Sequence, residues 1–133
     1  MLDRLTNALD FQAQALTLRA ERQRLIASNI ANADTPGYQA RDMDFAAALR
    51  QATGEVKPTG LATSAAGHLS PDRGATSEAQ LRYAAPSMTN LDRNTVDMDR
   101  ERASFADNSV KYEATLRFIN SNVSTMLAAI KGQ

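Results

Sequence analysis

The sequence predicts a mainly α protein whose long N- and C-terminal helices pair as an antiparallel coiled coil around an extended, partly disordered or weakly β middle. Three observations lead there. An apolar stripe at four-three spacing runs through the last third: Met98, Phe105, Tyr112, Leu116, Ile119, Val123, Met126 and Ile130, interrupted only by Arg102 and Ser109. A second strong helical pattern occupies the opposite end of the chain. Between them, from Ala52 to about Asn90, periodicity disappears and glycine and proline punctuate a background of Ala, Ser and Thr. The resulting organisation has three segments: 1–33 an N-terminal coiled-coil helix, 34–93 a turn, short helix and connecting stretch, and 94–133 a C-terminal coiled-coil helix.

The first helix is predicted from Leu2 to about Asn32, with two apolar faces. Leu2, Leu5, Leu9, Leu16 and Ile30 share one side, and Phe11, Leu18 and Leu25 lie nearly opposite at seven-residue spacing. Either the helix is sandwiched inside a small bundle, or one side meets the C-terminal helix and the other a neighbouring subunit. Asn32 is suited to close it in the left-handed conformation. Thr35-Pro36-Gly37-Tyr38 then reads as a type II turn, with proline presetting φ and glycine accepting a positive value. The two asparagines Asn29 and Asn32 are also spaced to hydrogen-bond a partner backbone, or they belong to an ordinary helix stop.

A short helix is expected over about Asp44 to Gln51, capped by Asp42 or Asp44, with Phe45 and Leu49 as an i,i+4 pair. Leu81-Arg82-Tyr83 reads as a short strand, paired with the region after Tyr38. The rest of the middle carries too little apolar surface to offset its ordering entropy. The second long helix is expected to begin near Asn94, capped by Asn94 or Thr95. Asp97, Asp99 and Glu101 supply negative charge to its first turns, and Lys131-Gly132 ends it. A lone hairpin of the two helices is expected to be marginal, so that folding is coupled to assembly.

Composition narrows the function. Lys plus Arg equals Asp plus Glu at 15 each, leaving no net field for nucleic acid. Cysteine is absent, which removes disulfides, thiol catalysis and thiolate metal sites. His68, the single histidine, lies in the middle stretch without a second ligand nearby. Asp97-Met98-Asp99-Arg100-Glu101 lacks the glycine turn and spacing of a calcium loop. No phosphate cradle or nucleophile elbow is present. The expectation is therefore a non-enzyme with no cofactor, no metal, no nucleic acid and no small-molecule substrate. No stretch has the length of a membrane span, and the amino terminus lacks the apolar run of a cleaved signal peptide.

The segment Ser28-Asn29-Ile30-Ala31-Asn32-Ala33-Asp34-Thr35-Pro36-Gly37-Tyr38 resembles the N-terminal signature of the bacterial flagellar axial proteins, which build rod and hook. The longer opening, Met1-Leu2-Asp3-Arg4-Leu5 through Asp42-Met43-Asp44-Phe45, is similar to the proximal-rod branch of that family. So is Asn94-Thr95-Val96-Asp97-Met98-Asp99-Arg100-Glu101, followed by Phe105-Ala106-Asp107-Asn108-Ser109 and Lys111-Tyr112. The likeness covers 1–51 and about 88–131, with two motifs in the family's order.

The resemblance implies a structural subunit of the periplasmic rod, exported without cleavage through the flagellar type III apparatus, whose terminal helices form the inner layer of a helical tube. Implied partners are copies of itself, other rod subunits, the membrane-ring and rod-adaptor proteins of the basal body, and the export apparatus. Asn29, Ile30, Asn32, Thr35, Pro36, Gly37 and Tyr38 are the candidate assembly signature. Leu2, Leu5, Leu9, Leu16, Phe105, Tyr112, Leu116, Ile119, Val123, Met126 and Ile130 are the candidate coiled-coil seam. The competing reading is a soluble helical adaptor or secretion chaperone folded by itself as a small bundle.

Overall fold

A computed structural model describes residues 2–54, 81–84 and 90–132. Its elements, in chain order, are α1 (Leu2–Ala31), β1 (Arg41–Met43), α2 (Phe45–Ala52), β2 (Leu81–Tyr83) and α3 (Met98–Lys131). The protein is mainly α, with the two long helices packed against each other. Their cross-links descend one helix as they climb the other. Asn94 meets the carbonyls of Asn32 and Ala33, Asn108 meets Arg19 and Gln23, and Ser109 meets Gln23. The pairing is therefore antiparallel, as the sequence predicts. His68 and most of the expected loose middle lie outside the described residues.

The ends of α1 and α3 correct two expectations. Among the described residues the only non-glycine residue with positive φ is Arg93, so Asn32 does not close α1 in the left-handed conformation. Instead the Asn32 side-chain amide donates to the Ser28 carbonyl at 2.8 Å, satisfying an end-of-helix acceptor directly. The last turn then tightens through Ala33 N–H to Ile30 O. At the other junction α3 is capped by Asp97, whose carboxylate accepts from the N–H groups of Asp99 and Arg100, not by Asn94 or Thr95. Those two side chains are taken by longer-range bonds, which keep 94–96 out of the helix. At its far end Gly132, at φ 72°, closes α3 as expected.

Between the helices the chain makes a two-stranded antiparallel ribbon with Arg41 opposite Tyr83, Asp42 opposite Arg82 and Met43 opposite Leu81. This is the pairing expected of Leu81–Tyr83. Asp44 caps α2 by accepting from Ala47 N–H at 3.1 Å. Asp42, the other capping candidate, instead faces Arg22 of α1 at 3.3 and 3.4 Å. Helix α2 lays Ala48 against Leu25 and Met43, with Leu18 packed at the margin. The Arg19 guanidinium stands 4.4 Å over the Phe45 ring. The Leu18–Leu25 end of the second apolar face of α1 is thus covered from within the chain, while Phe11 stays exposed.

Candidate assembly interface

The signature segment folds into a hydrogen-bonded junction. Its hub is Asn29, fully buried at the end of α1. The Asn29 amide donates to Arg41 O at 2.7 Å, and its Oδ1 accepts from Arg41 N–H at 3.1 Å and from the Tyr38 hydroxyl at 3.2 Å. One side chain thereby ties α1 to the first residue of β1 and to the end of the turn. The Glu101 carboxylate of α3 lies near the same amide. Burial with only polar neighbours is tolerated because each group finds a partner.

The turn itself closes by Tyr38 N–H to Thr35 O at 3.2 Å, with Gly37 at φ 72°, the geometry a type II turn requires. Thr35 Oγ1 donates to Asn32 Oδ1. Pro36 is exposed and Ile30 half-buried. Against this turn lies the strand-like approach to α3. Gly37 N–H donates to Asp92 O at 2.8 Å, Thr95 N–H to Tyr38 O at 3.0 Å, and Ala40 N–H to Thr95 Oγ1 at 2.9 Å. Asn94, with no exposed surface, directs Nδ2 at the carbonyls of Asn32, Ala33 and Thr35, all at 2.8–2.9 Å. Its Oδ1 accepts from Val96 N–H at 2.8 Å. Residues 59 to 62 apart in sequence are clamped by one amide.

Along the helix pair the line of closest approach carries many polar residues. In α3 the buried positions are Glu101 and Asn108, and Ser104, Thr115, Ile119, Asn122 and Met126 are half-buried at three-four spacing. Asn108 donates to Arg19 O at 2.9 Å and to Gln23 Oε1 at 2.7 Å, and Gln23 Nε2 donates to Ser109 Oγ at 2.8 Å. The predicted seam divides around this line. Ile119 and Met126 fall on it. Phe105, Tyr112, Leu116, Val123 and Ile130 are centred roughly 70° away at 3.6 residues per turn. Phe105, Leu116 and Val123 each keep 40 % of their surface exposed, and Ile130 keeps 74 %.

The leucines of α1 are offset in the matching sense. Ile26 faces α3 beside Glu101 and Ser104, and Leu5, Leu9 and Leu16 lie roughly 80° round the helix from it, on the same side as Gln23. In an antiparallel pair these two offsets fall on the same side. A shallow groove lined by Ala20, Gln23, Ser109 and Tyr112 runs between them there. The ribbon and α2 occupy the other side, where Ile26, Ala40, Asp42, Ala84, Glu101 and Ser104 converge. Around the Asn29 junction the hairpin therefore carries one covered side and one apolar side; farther along, Phe11 and Phe118 are exposed as well. Leu2 opens α1.

Gln23 was not singled out in the sequence, and Asn94, Glu101 and Asn108 stood there only as a capping candidate, a helix charge and part of the family motif, not as contact residues. A search for apolar periodicity passes over polar contact positions; the run Glu101, Ser104, Asn108, Thr115, Ile119, Asn122, Met126, at steps of three, four or seven, is the signal that identifies them. Among the described residues no cluster of acidic or histidine side chains could hold a metal, and no helix is long and apolar enough to cross a membrane.

Comparison with known proteins agrees with the signature. Residues 9–39 match the family model described as "Flagella basal body rod protein". The chain is 52% identical to the flagellar basal body rod protein FlgB of Proteus mirabilis (strain HI4320), covering 98% of each chain. It is 50% identical to the FlgB of Salmonella typhimurium over 99% of each, and 46% identical to that of Escherichia coli K12 over 98% of each. With half its residues shared over nearly the full length of such relatives, the chain belongs to the FlgB family of flagellar basal body rod proteins.

Proposed function

We propose that this chain is a structural subunit of the proximal rod, a non-enzymatic element that needs no cofactor. Its three segments divide the work. The 1–33 and 94–133 helices build a helical tube by coiled-coil packing, and 34–93 forms the connecting layer around it. The tube joins the membrane ring to the distal rod and transmits torque. Its partners are copies of itself, other rod subunits, and the ring and rod-adaptor proteins. The periplasmic rod is its site, reached through the flagellar type III export apparatus without a cleaved signal peptide.

The observation that carries this reading is the apolar side of the hairpin. Leu5, Leu9 and Leu16 of α1 and Phe105, Tyr112, Leu116 and Val123 of α3 flank a polar line of contact and are left half covered or exposed. A contiguous face of this kind marks a protein–protein contact. Repeated heterologous contacts through it generate an open-ended helix. The signature residues Asn29, Ile30, Asn32, Thr35, Pro36, Gly37 and Tyr38 act from behind, by holding the exit from α1 at a set angle to α3.

Leu116→Asp tests the reading. Because Leu116 lies off the α1–α3 contact line, the purified variant retains the helix content of the parent. A strain carrying it as the sole copy forms no rod and is non-motile. Normal basal bodies from that strain would remove the apolar side from the assembly surface.

A further inference from the structure

Glu101 is a carboxylic acid where the fold would ordinarily place an apolar side chain. It is 92 % covered, keeping 8 % of its surface exposed, on the first turns of α3 where that helix crosses the Asn29 junction. Beside it is a cavity of about 20 Å³, the size of one water, bounded by Ile26, Ala40, Asp42, Thr95, Asp97 and Arg100 among others. The charged groups facing it come from each packed element. Asp42 from β1 and Asp97, the cap of α3, bring negative charge, and Arg100 of α3 brings positive charge. From α1 comes the amide of Asn29, while the nearby guanidinium of Arg22 is turned to Asp42 at 3.3 Å. Two carboxylates therefore surround a third that is almost out of water.

We propose that Glu101 is a proton-operated strut of the junction: neutral, it lets α3 seat on Asn29 and the ribbon, and ionised, it loosens that seat. Burial pushes the Glu101 carboxyl above the usual glutamate range, and Asp42 and Asp97 push in the same direction. The Asn29 amide and Arg100 oppose them without reversing the result. A group whose affinity for protons is raised by folding stabilises the fold at low pH. That stabilisation is lost as pH rises through its folded-state midpoint. The affected contact is local: Glu101 lines one cavity with Ala40 and Thr95, and the Ala40 N–H to Thr95 Oγ1 bond at 2.9 Å joins the ribbon side to the approach to α3 there.

The test compares thermal unfolding of the full chain with that of Glu101→Gln from pH 4 to pH 8. The two proteins are expected to melt together at pH 4. Above it the variant melts progressively higher, by several degrees at pH 8, because the amide keeps the shape and cannot ionise. A melting difference that does not change with pH, or a variant less stable at pH 8, overturns the proposal. A second measurement does not need the variant to fold. Carbon-13 NMR titration of the Glu101 carboxyl in the native chain should give a midpoint above that of the urea-unfolded chain, and Asp42→Asn should lower it. A midpoint at or below the unfolded value overturns the proposal equally.

Discussion

Asn94→Ala should be among the most damaging single truncations of a polar side chain in this protein. The Asn94 side chain has no exposed surface and sits between the turn and the start of α3. Its two amide hydrogens serve three carbonyls, those of Asn32, Ala33 and Thr35, at 2.8–2.9 Å, and its Oδ1 accepts from Val96 N–H at 2.8 Å. Three bonds are thus satisfied at any moment. At roughly 1 kcal/mol net each, with part of the released backbone left without water, the truncation costs about 3 kcal/mol. Asn94→Asp should cost at least as much. It keeps the acceptor toward Val96 but turns a second, charged oxygen on three carbonyls. Urea unfolding of the full chain, followed by circular dichroism, reads the midpoints. Hydrogen exchange at the Gly37 and Thr95 amides, which bridge the same two segments, localises the loss. A midpoint for Asn94→Ala within about 0.5 kcal/mol of the parent, the range of ordinary surface changes, would refute the clamp.

Three further outcomes follow from the same geometry. Gly37→Val should destabilise by about 1–2 kcal/mol and impair rod assembly: a Cβ there would meet nothing within 4 Å, so the cost is the positive φ alone, and Gly37→Asn should recover most of it in the same urea titration. Asn108→Leu should raise the unfolding free energy read from the urea titration by about 1 kcal/mol, since Asn108 Oδ1 is buried without a hydrogen-bond partner and the Gln23–Ser109 bond survives the change; a lower value would mean that the two donated bonds outweigh the burial. Arg22→Ala should cost under about 1 kcal/mol and lose its effect in high salt, because its pairing with Asp42 at 3.3 Å is half exposed.

The helices and the ribbon were legible because their causes are local. Periodicity set the span of both helices to within a few residues. Thr35-Pro36-Gly37-Tyr38 contains the two residues a type II turn demands, and Asp44 stands directly before an apolar pair. The cap of α3 was misplaced because Asn94, Thr95 and Asp97 all have capping chemistry within four residues. Only the distant carbonyls at 32, 33 and 35 and the amide of Ala40 decide which of them is left to cap. Asn32 was misread for a related reason. Its side chain reaches its own helix at Ser28, and that bond removes the need for a left-handed residue. Least legible was the line of contact between α1 and α3, because hydropathy cannot register Glu101 or Asn108 as interior positions.

The polar interior and the apolar outer side are two halves of one arrangement. The largest fully buried side chains among the described residues are Asn29, Asn94 and Asn108. Hydrogen bonds are directional, so such an interior specifies one relative placement of α1, turn and α3 while adding little net stability. Had the stripe from Phe105 to Ile130 filled that interior, the hairpin would have been self-sufficient and its surface inert. Set to one side, Phe105, Leu116 and Val123 retain 40 % exposure, and covering the remainder would contribute roughly 1 kcal/mol for each. Leu5, Tyr112 and Ile130 bring the total for one face to about 6 kcal/mol, before association entropy is subtracted. A single copy meeting a single neighbour through this face gains little after that subtraction. A copy held on several sides in a helical array adds its other contacts to this one while its rotational freedom is lost once, which favours the extended assembly over the isolated pair.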